Sequence, residues 1–231
     1  MLIKEIIEKY TNAGYSEPSE TVVNYFKTSF GRLFRDIGYV SENIPKFDSV
    51  LEFMARYKIA AIDPERIKKE PPESDYRKIY DAEIAGKKFR NPKGLLLYGH
   101  YGTGKTLAAR IIADYFSLPL IDTYSISFEY QKKDGNDWID KWLYSNCCDA
   151  VVIDDIGAEG DIRKFGNESP IGGILATRAR FWEMYGTPTI YTTNFATPRA
   201  LAEAYGNNER LLDRLTSYHI PVEFKGQSLR K

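Results

Sequence analysis

The sequence predicts an α/β fold, a central parallel sheet sandwiched between helices and preceded by a small helical unit. Three observations carry this. The apolar stretch Gly94-Leu95-Leu96-Leu97-Tyr98 runs into Gly99-His100-Tyr101-Gly102-Thr103-Gly104-Lys105-Thr106, after which Leu107, Ile111, Ile112, Tyr115 and Phe116 recur at helical spacing. A buried strand, a glycine-rich turn and a helix thus follow one another. Further on, Ala150-Val151-Val152-Ile153 ends in Asp154-Asp155, and Thr187-Pro188-Thr189-Ile190-Tyr191-Thr192-Thr193 ends in Asn194. Both are strand-length, β-branched runs with a polar tip.

The glycine-rich turn has the spacing of a phosphate-binding loop: glycine, four residues, glycine, lysine, threonine. Gly99, Gly102 and Gly104 let the backbone take positive φ, so that the amides of the loop, with those of His100, Tyr101 and Thr103, can surround a β-phosphate at a helix N-terminus. Lys105 would reach the β- and γ-phosphates and the Thr106 hydroxyl would ligate Mg²⁺. Asp154 would hold the same ion through water, and Asp155 could orient or deprotonate the attacking water. Asn194 can hydrogen-bond both a γ-phosphate oxygen and a water. A strand carrying Asn194 between the loop strand and the Asp154 strand would place the chain with ATPases that keep a sensor there; in simple nucleotide kinases those two strands are neighbours.

The 231 residues suffice for one α/β domain plus a small appendage, and 32 basic residues balance 32 acidic ones. Any contact with nucleic acid must therefore come from a local patch. No apolar run approaches the length of a membrane span, and Met1-Leu2-Ile3-Lys4-Glu5 lacks the apolar core of a signal peptide, so a cytoplasmic protein is expected. Cys147 and Cys148 are adjacent and read as small hydrophobes at a strand start, with no spacing that suits zinc.

In chain order, Leu2, Ile3, Ile6, Ile7 and Tyr10 predict a helix over residues 1–13. Ser19 can cap a second helix with the stripe Val22, Phe26, Phe30, Leu33, Phe34 and Ile37, and Phe47, Val50, Leu51 and Met54 mark a third. Residues 1–68 are thus expected to be a helical unit that binds a partner. Residues 69–88 begin with a charged Pro71-Pro72 linker and continue into a lead-in helix over 76–87; residues 89–231 form the core. Residues 125–146 mix Phe128, Tyr130, Trp138, Trp142 and Tyr144 with Lys132, Lys133 and Lys141. Such a segment can stack bases and neutralise phosphates, or its aromatic side chains can simply be core. Thr197-Pro198 starts a short helix, Arg210 and Arg214 stand one turn apart on a helix over 208–217, and Ile220-Pro221-Val222-Glu223-Phe224 reads as an edge strand.

Together, GHYGTGKT, VVIDDIG, YTTN, NERLLDRLT and the ending VEFKGQSLR resemble the AAA+ ATPases of the DnaC/DnaI helicase-loader and IstB transposition-helper group, from about residue 94 to 230. The resemblance implies a P-loop NTPase that takes ATP and Mg²⁺. Lys105 and Thr106 fall on its phosphate and magnesium residues, Asp154 and Asp155 on its Walker B pair, and Asn194 on sensor 1. Arg214 falls on the arginine finger that reaches a neighbouring subunit's ATP, and Arg230 on sensor 2. A surface ion pair is the other reading of Arg214. Asp155 stands where a glutamate is usual, and its shorter reach would slow hydrolysis; the N-terminal segment lacks the cysteines of zinc-bearing loaders.

The expected function is ATP-dependent loading of a replicative helicase onto single-stranded DNA by a chain that assembles into a homo-oligomer with ATP and DNA. Two other functions fit the same motifs: a transposition helper on duplex DNA with a transposase as partner, and a scaffold switched by ATP with negligible turnover.

Overall fold

Residues 14–39, 47–132, 134–159, 170–206 and 209–225 are described in a computed structural model of the chain. The chain divides into two units, Met1–Gly38 with Leu51–Pro92, and Tyr39–Val50 with Lys93–Lys231.

In the first unit, α1 (Glu20–Asp36) is capped by Ser19, whose hydroxyl accepts from the Val22 amide at 3.4 Å. Val22, Phe26, Phe30 and Phe34 are buried along one stripe, whereas Ile37, at the helix end, is 52% exposed, so the stripe stops a turn short of the expected limit. Helix α2 (Phe47–Ala60), which crosses the division, buries Phe53, Met54, Ala55 and Ile59 in its later turns. A single turn, α3 (Pro64–Ile67), follows. The lead-in helix is shorter than predicted: α4 (Asp75–Ile79), capped by Ser74, widens into a π-helical turn over Tyr80–Ile84. The Ala85 amide closes that turn on the Tyr80 carbonyl at 2.9 Å, and Gly86, at φ +76°, ends it. The helix expected over 1–13 lies outside the described residues.

The second unit is built on a five-stranded sheet. Its strands are β1 (Gly94–Gly99), β2 (Leu120–Asp122), β3 (Val151–Ile156), β4 (Thr189–Thr193) and β5 (His219–Phe224), in the order β2-β3-β4-β1-β5, all parallel. The Asn194 strand therefore lies between the loop strand and the Asp154 strand, and β5 is an edge, where Pro221 forgoes no inner ladder bond. Gly94 is required by close approach: a Cβ there would stand 2.1 Å from the Thr189 carbonyl oxygen.

The connections are helical, as parallel strands demand: α5 (Lys105–Phe116), α6 (Thr123–Gln131), α7 (Gly135–Ser145), α8 (Pro170–Tyr185), α9 (Pro198–Ala204) and α10 (Glu209–Tyr218). Thr197 caps α9 as expected, accepting from the Ala200 amide at 3.1 Å. Leu96, Val151, Ile153 and Tyr191 share a core with Ile126 and Tyr130 of α6, Ile139 and Leu143 of α7, Ile174 and Leu175 of α8, and Leu211 and Leu215 of α10. Residues that alternate with them on the strands, such as Leu95 and Leu97, are equally buried, and α5 brings Ala108, Ala109 and Ile112 to β3 and β4. Both faces of the sheet are covered, which is why its strands read as continuous apolar runs.

His219 opens β5 inside this packing, 4% exposed, its ring 4.8 Å from that of Tyr191 and its Nδ1 donating to the Leu215 carbonyl at 3.2 Å. Burial pushes its pKa down to about 4. The unfolded chain binds a proton near pH 6.5 that the fold refuses until about pH 4, so stability falls as pH drops through this window. The loss should reach about 2 kcal/mol between pH 6.5 and 5. Urea titrations at those two pH values should show it in the wild type, and His219→Gln should show it much reduced; equal pH dependence in the two proteins would exclude His219 as its source.

Candidate nucleotide site

Because the sheet is parallel, the carboxyl ends of β1, β4 and β3 lie side by side and deliver three loops to one edge. Gly99, Gly102 and Gly104 take φ of +121°, +74° and +93°. At Gly99 a Cβ would also meet the Phe224 carbonyl oxygen at 2.4 Å. The loop closes on itself through the Thr103 hydroxyl, which donates to the His100 carbonyl at 2.8 Å, while the side chains of His100 and Tyr101 are exposed. Lys105 is buried at the first turn of α5, its ammonium donating to the carbonyls of Gly99 at 2.9 Å and His100 at 2.6 Å. Tyr39, stacked on Phe47, donates to the Gly104 carbonyl at 3.2 Å.

Thr106 donates to Asp154 Oδ1 at 3.0 Å, and Thr192 of β4 donates to the same oxygen at 2.5 Å. A hydroxyl and a carboxylate oxygen thus meet at the loop, the hard donors that Mg²⁺ prefers. Asp155 sits where the β3–β4 register shifts between Ile153 and Ile156, with φ +57°. Its amide donates to the Thr192 hydroxyl at 2.7 Å, its carbonyl accepts from Thr123 at 2.7 Å, and its carboxylate accepts from Asn194 Nδ2 at 2.7 Å. A residue in the left-handed region stays there only when its surroundings hold it, and here three hydrogen bonds do. The two carboxylates consequently diverge: Asp154 faces Thr106, and Asp155 faces Asn194 and the open cleft.

That cleft, about 450 Å³, is lined by the loop from Tyr101 to Thr106 together with Asp155 and Asn194. Leu107 and Arg110 of α5 complete it. The loop, Asp154, Asp155 and Asn194 are therefore brought together. Arg214 is not among the lining residues. Its side chain is 22% exposed, with Nε 4.0 Å from Glu183 Oε1. Arg230 and Lys133 lie outside the described residues. The aromatic and basic segment divides: Tyr130 is buried, and Trp138 and Trp142 are partly buried against the core. Tyr124 and Phe128 are 68% and 57% exposed and one turn apart on α6, with Lys132 over the Phe128 ring at 4.8 Å.

Several residues of the site carry no motif. Thr123, the first residue of α6 after its cap Asp122, and Thr192, inside β4, are ordinary threonines by pattern, and only the folded chain brings their hydroxyls onto the Asp155 carbonyl and the Asp154 carboxylate. Arg110 had a signal, since it lies one turn beyond Leu107 on the helix leaving the loop.

Solved structures similar to the chain include that of DnaI, 21% identical over 71% of this chain and 95% of that one with a TM-score of 0.46. Another is the DnaC helicase loader, 17% identical over 77% of this chain and 89% of that one with a TM-score of 0.44. No curated protein matches the chain. The sequence pattern of the ATPase family associated with various cellular activities (AAA) matches residues 95–211, just over half of the length, a span that includes every residue lining the cleft. The chain belongs to this AAA ATPase family.

Proposed function

We propose that the chain binds Mg-ATP in the cleft beside β1, β3 and β4 and hydrolyses it to load a replicative helicase onto single-stranded DNA. The observation that carries the ATPase reading is the Asn194–Asp155 hydrogen bond at 2.7 Å at the mouth of the phosphate loop. It holds a carboxylate where water activation needs one and supplies the polar group that reads the γ-phosphate. Lys105 would exchange its loop carbonyls for phosphate oxygens, and Thr106 and Asp154 would hold the metal ion, whose charge would offset that of the phosphates. The loader reading is supported by the order of motifs from GHYGTGKT to VEFKGQSLR, and the solved DnaC structure bears the description helicase loader. In this reading residues 1–68 hold the helicase, residues 69–88 lead into the core, Arg214 reaches a neighbouring copy's ATP, Arg230 acts as sensor 2, and Tyr124, Phe128 and Lys132 offer single-stranded DNA a stacking face beside a cation.

Lys105→Ala tests the foundation. It removes the charge that compensates the phosphates and should weaken Mg-ATP binding at least a hundredfold by calorimetry. Equal affinity in mutant and wild type would exclude the cleft as a nucleotide site. Asp155→Asn should part binding from turnover: the amide keeps the volume and can still pair with Asn194 but accepts no proton, so affinity stays within about threefold while the rate falls about 10²-fold or more. A rate within a factor of two of wild type would exclude Asp155 as the base.

A further inference from the structure

Glu159 is a carboxylate only 7% exposed, two residues beyond Gly157, and the function above leaves it without a role. Its oxygens accept from two neutral donors, the Gly157 amide at 2.8 Å and the hydroxyl of Tyr205. Both donors are tied to the machinery. Gly157, at φ +98°, ends the turn that begins at Asp155, with the Ala158 amide closing on the Asp155 carbonyl at 3.0 Å. It lies against Phe195, the residue after Asn194, so closely that a Cβ would stand 2.7 Å from the ring. Tyr205 forms the C-terminal cap of α9, and α9 packs on α10 and is bridged to it by Arg199 and Glu209 at 2.8 Å. Helix α10 carries Arg214.

We propose that Glu159 and Tyr205 form a brace that positions Asp155 for water activation and links it to α9 and α10, so that the nucleotide site and the arginine-bearing helix move as one. A buried carboxylate stays in place only while its oxygens are hydrogen-bonded. Without the Tyr205 hydroxyl, Glu159 has one donor left and swings toward water, releasing the Gly157 amide and with it the turn that fixes Asp155. The phosphate loop is untouched by this loss. Glu159 and Tyr205 are thus positioning residues acting through Asp155, and the inference rests on the assignment of Asp155 above.

Tyr205→Phe keeps the ring that packs near Gly172 and removes only the hydroxyl. It should bind Mg-ATP within twofold of wild type and hydrolyse it at least tenfold more slowly, and Glu159→Gln should do the same. Combined with Asn194→Ala, Tyr205→Phe should slow the reaction no further than Asn194→Ala alone, because both act through one carboxylate. Hydrogen exchange of the nucleotide-free protein should show the Gly157 amide and the α10 amides exchanging at least tenfold faster in Tyr205→Phe, with β1 and α5 unchanged. A lowered melting temperature with normal turnover would make the pair merely structural and overturn the proposal, as would full additivity with Asn194→Ala or unaltered exchange in α10. A wild type without ATP turnover would remove the reading of the site and the positioning role with it, and the exchange measurement would still decide whether the link to α10 exists.

Discussion

Arg214→Ala is expected to bind Mg-ATP as the wild type does and to hydrolyse it about 10³-fold more slowly, the scale of a missing arginine finger. In the proposed site Lys105, Thr106, Asp154, Asp155 and Asn194 would approach the nucleotide from one chain, and the finger proposed at Arg214 would meet the outer side of the γ-phosphate from a neighbouring copy. Within its own chain Arg214 rests 4.0 Å from Glu183, whose same oxygen accepts from Tyr218 at 2.8 Å. A pair of this length, open to solvent on one side, is worth at most about 1 kcal/mol, so it can be given up for a phosphate in a neighbouring copy. Mixing Arg214→Ala with Lys105→Ala decides the matter, because a mixed interface can combine an intact loop with an intact arginine. Turnover should reappear in the mixture and grow with protein concentration. Silence in proven mixed oligomers would exclude the shared site; if Arg210→Ala, one turn away and exposed, gave the larger loss, the finger would be Arg210.

Arg178→Ala is expected to cost about 3–5 kcal/mol of folding stability, enough to unfold a marginal domain. This arginine of α8 is 1% exposed and its guanidinium gathers the Thr189 hydroxyl at 3.0 Å and the carbonyls of Asn146 at 2.7 Å and Asp149 at 3.0 Å. The C-terminal end of α7, the approach to β3 and the start of β4 are thereby tied at one point. Truncation leaves those buried acceptors unpaired at about 1–3 kcal/mol each, less whatever water can restore, and opens a cavity beside Phe181. Equilibrium urea unfolding measures the loss. A difference below 1 kcal/mol would mean that water replaces the guanidinium at no cost.

The parts of the fold legible in the sequence were those in which one residue type has one use. Gly99 to Thr106, the apolar runs before Asp154 and Asn194, and the caps Ser19 and Thr197 each state a local conformation, whereas the place of the Asn194 strand between the other two was open in the sequence and came from the fold. Arg178, Glu159 and Tyr205 were illegible for the opposite reason. An arginine in a helix, a glutamate in a turn and a tyrosine at a helix end are commonest on surfaces, and only tertiary packing buries these three. The segment 125–146 left two readings open, and its spacing could not assign them residue by residue: Tyr130 and Phe128 are two positions apart on one helix, which sends one ring to the core and the other to solvent.

The left-handed backbone at Asp155 narrows which sequences can occupy this position in descendants of the chain. Aspartate and asparagine visit that region far more readily than glutamate, which is longer and forms no comparable local hydrogen bond. A mutation to glutamate, which would lengthen the base's reach, would have to be accompanied by a change of turn, whereas a mutation to asparagine meets no backbone barrier. With Asp155 as the proposed base, variation at this point should therefore run between forms with and without that carboxylate in one geometry, and the route to a glutamate should pass through a rebuilt loop.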